Sequence, residues 1–115
     1  MRRLYLVLAF LIILLGAVHL ASTPQIFEGM SSRALWFASG GLLLVLTGVV
    51  NLLNRTYGAA APGLRWATVG TNAVMTGFAA IAGTVGAASG AQLVVIVGLM
   101  AGTTLVSLLS GAPSE

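Results

Sequence analysis

Few side chains in this sequence could do chemistry, and they fall into two groups. His19, Glu28, Arg33 and Trp36 are neighbours along the chain. An imidazole, a carboxylate, a guanidinium and an indole could together form a small polar cup. In such a cup His19 could ligate a haem or metal, or accept a proton. The plainer alternative is a surface Glu28–Arg33 ion pair, contributing about 0–1 kcal/mol, beside a histidine that bonds a backbone carbonyl or Glu28. The second group is uncharged: Thr47, Asn51, Asn72 and Thr103, each set in a long apolar run. An amide in apolar surroundings is costly unless paired. Asn72 therefore has to face a neighbouring helix, either to fix its register by a hydrogen bond or to line a path for a solute.

Other chemistries are excluded by what is missing. The chain has no cysteine, so there are no disulfides, thiolate metal sites or cysteine nucleophiles. It has neither aspartate nor lysine, which rules out a Ser-His-Asp set and a phosphate-binding glycine loop ending in lysine. Its two carboxylates, Glu28 and Glu115, are expected at opposite ends of the molecule and cannot act as a glycosidase-like pair. One histidine makes no metal site unless a second copy supplies another. Met75 and Met100 read as gap-filling residues. No metal or cofactor is expected, and no enzymatic activity.

The elements that must position these residues are four apolar segments, expected at about 4–21, 34–53, 64–86 and 92–110. Leu4 to Ala21 follows Arg2 and Arg3 and meets Ser22-Thr23-Pro24, where proline is expected to end the helix. Its 18 residues span roughly 27 Å, enough for a bilayer core. A cleavable signal would need small residues at the −3 and −1 positions. His19 or Leu15 would fall at −3, so the segment is expected to be retained. Ser22 to Arg33 forms a polar connection. The second segment opens on Trp36 and Phe37, the third on Trp66, matching the aromatic preference of membrane interfaces. Asn54 to Gly63 reads as a Gly/Pro-punctuated turn.

Composition agrees. Of 115 residues, 58% are hydrophobic and only 6% charged, against about a quarter in an ordinary soluble domain. The expected fold is an all-α integral membrane protein, a single domain of four transmembrane helices in a compact antiparallel bundle. The net charge of +3 comes from dispersed arginines, which read as membrane topology rather than nucleic-acid binding. Arg2, Arg3, Arg55 and Arg65 would share one side and Arg33 the other. Both termini are then expected in the cytoplasm, in an inner-membrane protein.

In length and number of spans the chain resembles the small multidrug resistance family. That resemblance is one of size and span number only. Those transporters depend on a carboxylate in the first helix, and Leu4 to Ala21 contains no acid. The resemblance therefore does not extend to their proton-coupled export.

Small residues recur at helical spacing in every segment. The first carries Tyr5, Ala9, Ile12, Gly16 and His19, and the second Phe37, Gly41, Leu44, Gly48 and Asn51. The third has two such faces: Gly70, Ala73, Gly77, Ala80 and Thr84, and also Thr68, Asn72, Met75, Ala79 and Ala82. Both are expected to meet neighbouring helices. The fourth has Gly98-x-x-x-Gly102, expected against the first segment or a second copy. Segments two and three also echo each other at an offset of 29 (Ala38/Ala67, Gly41/Gly70, Val45/Val74, Thr47/Thr76, Gly48/Gly77). That echo reads as chance within a narrow residue alphabet or shared packing demand, or else as an inverted pair of the kind transporters use. The expected role is a membrane scaffold or accessory subunit that self-associates or joins a larger complex in the bilayer. The alternatives are a dimeric transporter or channel for an uncharged or lipophilic solute, and a haem- or quinone-associated redox protein using His19.

Overall fold

The structure is a computed structural model, described here for residues 2–85 and 89–110. Four helices follow one another: α1 (Arg2–Ile26), α2 (Ser32–Tyr57), α3 (Pro62–Thr84) and α4 (Gly90–Leu109). They form a compact bundle with principal extents of 53 × 23 × 22 Å. Neighbours run antiparallel: Tyr5 meets Asn51 while Gly16 meets Gly41, and Asn72 meets Ser107 while Gly83 meets Leu93. The broad seams are α1 with α2 and α3 with α4. The α1–α4 and α2–α3 seams are narrower, and α1 does not touch α3.

Three of the helices, α1, α2 and α4, are long and apolar enough to cross a membrane. α3 is long enough, but Arg65, Thr68, Thr71, Asn72 and Thr76 dilute its apolar character.

Two helix ends differ from expectation. α1 does not stop before Pro24 but continues to Ile26. Proline removes the N–H that would reach back to Leu20. The hydroxyls of Ser22 and Thr23 both donate to the carbonyl of His19, at 3.1 and 3.0 Å. Beyond the proline the ladder resumes with Phe27 N–H donating to Thr23 O at 3.0 Å. The two hydroxyl bonds use the carbonyl before Leu20 O, so the helix passes the proline with that one ladder bond unmade. α2 likewise runs past Leu53 to Tyr57. Asn54 does not open a turn, because its side chain points into the bundle and donates to Tyr5 Oη. The expected ten-residue turn shrinks to 58–61. Pro62 then occupies the first turn of α3, where its missing N–H costs nothing. The expected end of the third helix, at Gly86, lies outside the described residues. At the start of α4, Ser89 Oγ accepts from Gln92 N–H while Gln92 Oε1 accepts from Ser89 N–H, a reciprocal capping box. In the α1–α2 link Gly29 has φ +76°, a conformation that glycine adopts without strain.

The α1–α2 seam is a close backbone approach. A Cβ on Gly16 would stand 2.6 Å from Gly41 O, and one on Gly41 would stand 2.9 Å from Gly16 O. One on Gly48 would stand 2.9 Å from Ala9 O. Tyr5, Ala9, Ile12 and Gly16 are buried from α1, and Gly41, Leu44, Gly48 and Asn51 from α2. Midway along the bundle Ile12, Leu44 and Met100 form the apolar core, with Leu15, Met75, Ile96 and Leu99 against it.

The remaining glycine faces point elsewhere than expected. On α3, Thr68 and Asn72 are buried, with Met75, Ala79 and Ala82 half-buried beside them. Gly70, Ala73, Gly77, Ala80 and Thr84 are all exposed. A Cβ at Gly70 or Gly77 would meet nothing within 4 Å. A Cβ at Gly98 or Gly102 of α4 would likewise meet nothing within 4 Å, so neither glycine is closed over by another helix of this chain. One polar face suffices to attach α3, since only the Thr68–Asn72 side carries groups that must find partners. The echo between α2 and α3 therefore does not extend to environment. Gly41 and Gly48 lie at the tightest seam of the bundle, while Gly70 and Gly77 lie on its outside.

Candidate functional site

One polar cluster joins all four helices, at the end where α1 begins. Its centre is a pair of amides. Asn51 Nδ2 donates to Asn72 Oδ1 at 2.7 Å, and Asn72 Nδ2 donates to Asn51 Oδ1 at 2.8 Å. Asn51 Nδ2 also donates to Thr47 O at 2.8 Å, and Asn51 Oδ1 accepts from Tyr5 Oη at 2.8 Å. Tyr5 Oη in turn accepts from Asn54 Nδ2 at 2.8 Å. On the far side Asn72 Nδ2 donates to Ser107 Oγ at 3.2 Å, and Ser107 Oγ donates to Thr104 O at 2.8 Å. Asn51, Asn72 and Ser107 are fully buried, and Tyr5 nearly so.

Helical spacing explains the placement. Asn51 and Asn54 are three apart on α2, Thr68 and Asn72 four apart on α3, and Thr103 and Ser107 four apart on α4, so each pair shares a face. Every side chain in the cluster stands on a helix, several of them in a first or last turn, and none comes from a loop.

The centre of the cluster is chemically self-contained, whereas Asn54 Oδ1 at its edge has no partner. Both donors of each central amide are used, as are both lone-pair sites of Asn51 Oδ1. The buried threonines satisfy themselves on their own helices: Thr47 Oγ1 donates to Leu43 O, Thr68 Oγ1 to Leu64 O and Thr103 Oγ1 to Leu99 O. Only Thr76 and Thr104 meet hydroxyl to hydroxyl across the α3–α4 seam, at 3.2 Å. The arrangement pins four helices in register and leaves the central amides no donor for a solute. Thr47, Asn51, Asn72 and Thr103 are thus brought to one end of the bundle, with Asn51 as the direct partner of Asn72. Tyr5 Oη, Asn54 and Ser107 complete the cluster and were not anticipated as polar partners. Their signal was available in the sequence: Asn54 and Ser107 lie one turn beyond Asn51 and Thr103, and Tyr5 heads the buried stripe of α1.

The expected polar cup at the opposite end does not assemble. Glu28, Arg33 and Trp36 are exposed, and no hydrogen bond links them to one another or to His19. His19 instead stacks on Phe37, ring centroids 3.8 Å apart and planes 17° apart, with Phe27 tilted against Phe37 at 5.5 Å. The α1–α2 link thus meets this region through the Phe27 ring and not through Glu28 or Arg33. Among the described residues no three His, Cys, Asp or Glu side chains gather where they could hold a metal ion.

Towards that same end α1 and α4 part. Between them lies a cleft of about 520 Å³, walled by Leu11, Leu14, Val18, Val94 and Leu99, with Gly98 at its edge.

Comparison with protein-family models, with curated proteins and with solved structures gave no match.

Proposed function

We propose that this chain is a small integral membrane protein that works by helix packing, as a scaffold or accessory subunit that associates laterally in the bilayer. It crosses the inner membrane four times with both termini in the cytoplasm. Three helices suit the bilayer by length and composition. The outward side chains are apolar along the whole shaft, from Val7, Phe10 and Leu14 on α1 to Val74, Phe78 and Ile81 on α3. Water tolerates no apolar surface of that extent on a monomer. α3 joins the crossing because its amide and buried threonine are turned inward. Arg2, Arg3, Arg55 and Arg65 then share one side, against Arg33 on the other, which supports the cytoplasmic placement.

The observation that carries the packing role is the outward face of α3. Gly41 and Gly48 of α2 seat α1, and the matching Gly70 and Gly77 face outward with nothing within 4 Å. In lipid, small residues gain their contacts only from another helix. A second copy of this chain or a helix of a larger complex supplies it. Gly98 and Gly102 offer a second such face.

The test uses the absence of native cysteine. Single cysteines at Gly70, Gly77, Gly98 or Gly102 are oxidised in native membranes, with Phe10→Cys on the outward side of α1 as control. A disulfide-linked dimer from either glycine pair, absent from the control, supports self-association. Failure of all four to crosslink, with no larger assembly retained in mild detergent, overturns the packing role.

The cleft between α1 and α4 favours a second reading, a transporter or binding protein for a lipophilic solute. Its volume of about 520 Å³ lies within the range of small-molecule sites. Leu14→Trp together with Val94→Trp would fill it. A solute-linked phenotype lost in that variant, with dimer crosslinking intact, would favour this reading over the scaffold. The redox reading draws least support, because His19 is stacked on Phe37 and lines neither this cleft nor the small cavity at the opposite end of the bundle.

A further inference from the structure

Directly beyond the polar cluster, at the end of the bundle, lies a small cavity of about 60 Å³. Arg2, Arg55 and Arg65 line it, together with Tyr5, Asn54 and Ser110. Three guanidinium-bearing residues from three helices thus surround one space. Among the described residues the only carboxylate is Glu28, in the α1–α2 link at the opposite end. Arg55 Nε donates to the carbonyl of Arg2 at 2.9 Å, which ties the end of α2 to the start of α1. The guanidinium of Arg65 is held over the Trp66 ring, 5.0 Å from its centroid.

Two residues that line this cavity each bury a side-chain atom that lacks a partner: Arg65 its Nε, a donor, and Asn54 its Oδ1, an acceptor. Asn54 itself is only 6% exposed. Buried polar atoms without partners are rare in folded proteins and call for an explanation. A single occupant that satisfies both must offer an acceptor to the arginine and a donor to the amide. It must also carry negative charge to suit a space lined by three arginines, and it must be compact. A water needs about 10–15 Å³ of such space, so the cavity admits a group of a few heavy atoms.

We propose that this cavity binds a phosphate oxyanion bearing a nearby hydroxyl. The oxygens accept from Arg65 and its arginine neighbours, and the hydroxyl donates to Asn54 Oδ1. Arginine suits this task because its planar fork matches tetrahedral oxyanions. Two sources carry that chemistry: the headgroup of a hydroxylated anionic lipid such as phosphatidylglycerol, and free hydrogen phosphate. Basic pockets between helices at the cytoplasmic face are suited to such headgroups. The inference does not depend on the packing role of α3 or α4.

Trp66, beside Arg65, supplies the readout. The experiment uses the full chain in detergent micelles, with Trp36→Phe so that Trp66 reports alone. Glu115→Gln is included so that the terminal side-chain carboxylate cannot compete. Trp66 fluorescence is titrated with phosphatidylglycerol, with phosphatidylcholine and with inorganic phosphate at constant ionic strength. A saturable change with phosphatidylglycerol or phosphate, and none with phosphatidylcholine, is expected. Saturation by the lipid alone assigns the headgroup, and saturation by phosphate alone assigns the free anion. Competition between them assigns one pocket open to both. Arg65→Gln and Arg55→Gln are each expected to weaken binding roughly tenfold. Arg3→Gln and Arg33→Gln, which do not line the cavity, should stay within about twofold. Arg65→Lys keeps the charge but loses the fork and the Nε donor, and is expected to weaken binding several-fold in a chain that still folds. Equal losses from all four glutamine variants would reduce the effect to general surface charge and overturn the proposal. Absence of saturation with both lipid and phosphate would overturn it as well.

Discussion

Asn51 and Asn72 hold each other by both ends of their amides, with Nδ2···Oδ1 distances of 2.7 and 2.8 Å in opposite directions. This pair joins α2 to α3, the narrower of the two seams α2 makes with its chain neighbours. Tyr5 and Ser107 extend it to α1 and α4.

Asn72→Leu is expected to destabilise the bundle by about 1–3 kcal/mol, because Asn51 is left buried and short of partners. Asn51→Leu should act similarly. The double Leu variant should lose less than the sum, with a coupling of about 0.6–1.7 kcal/mol. Reversible unfolding in mixed detergent measures all three. Strictly additive losses would contradict the paired arrangement.

The glycines divide into two classes. Alanine at Gly16, Gly41 or Gly48 would drive a methyl into backbone of the facing helix, at 2.6 to 2.9 Å. Each is expected to cost about 1–3 kcal/mol. Alanine at Gly70 or Gly77 meets open space and should hold or raise the stability of the monomer by up to about 1 kcal/mol through helix propensity. Thermal unfolding of monomeric protein distinguishes the classes, and a uniform response across all five would refute the assignment of seams.

Pro24 sits in the last turns of α1, with its ladder bond missing. Pro24→Ala restores an N–H opposite Leu20 O and should stabilise the helix end by about 1 kcal/mol, less than the ~3 kcal/mol of a mid-helix proline. Slower amide exchange across the last turn of α1 is the expected signature. A shortened helix would contradict it.

Topology is tested by fusion. Alkaline phosphatase inserted at Gly29, in the α1–α2 link, should be active, and inserted at Ala60 or fused after Glu115 it should be inactive. The reverse pattern would invert the orientation drawn from the arginine distribution.

Much of the bundle was legible in the sequence. Four apolar runs and a 6% charged composition determine a helical bundle with an apolar exterior. The stripes from Tyr5 to Gly16 and from Phe37 to Asn51 determine the inward faces of α1 and α2, because small residues at helical period let two backbones approach. Helix ends were less legible. Pro24 and Asn54 are breakers by type, yet α1 runs through the one to Ile26, and a tyrosine across the seam takes up the other.

Tertiary structure alone decided which way α3 faces. Both of its stripes are small enough to pack, and local pattern cannot rank them. The choice follows from the cost of an unpaired amide. Asn72 must meet Asn51, and once it does, Gly70 and Gly77 turn outward by helical geometry. The arginine cavity has the same origin. Arg55 and Arg65 flank one short turn, but Arg2 lies 53 residues before Arg55, and only antiparallel packing of three helix ends gathers all three round one space.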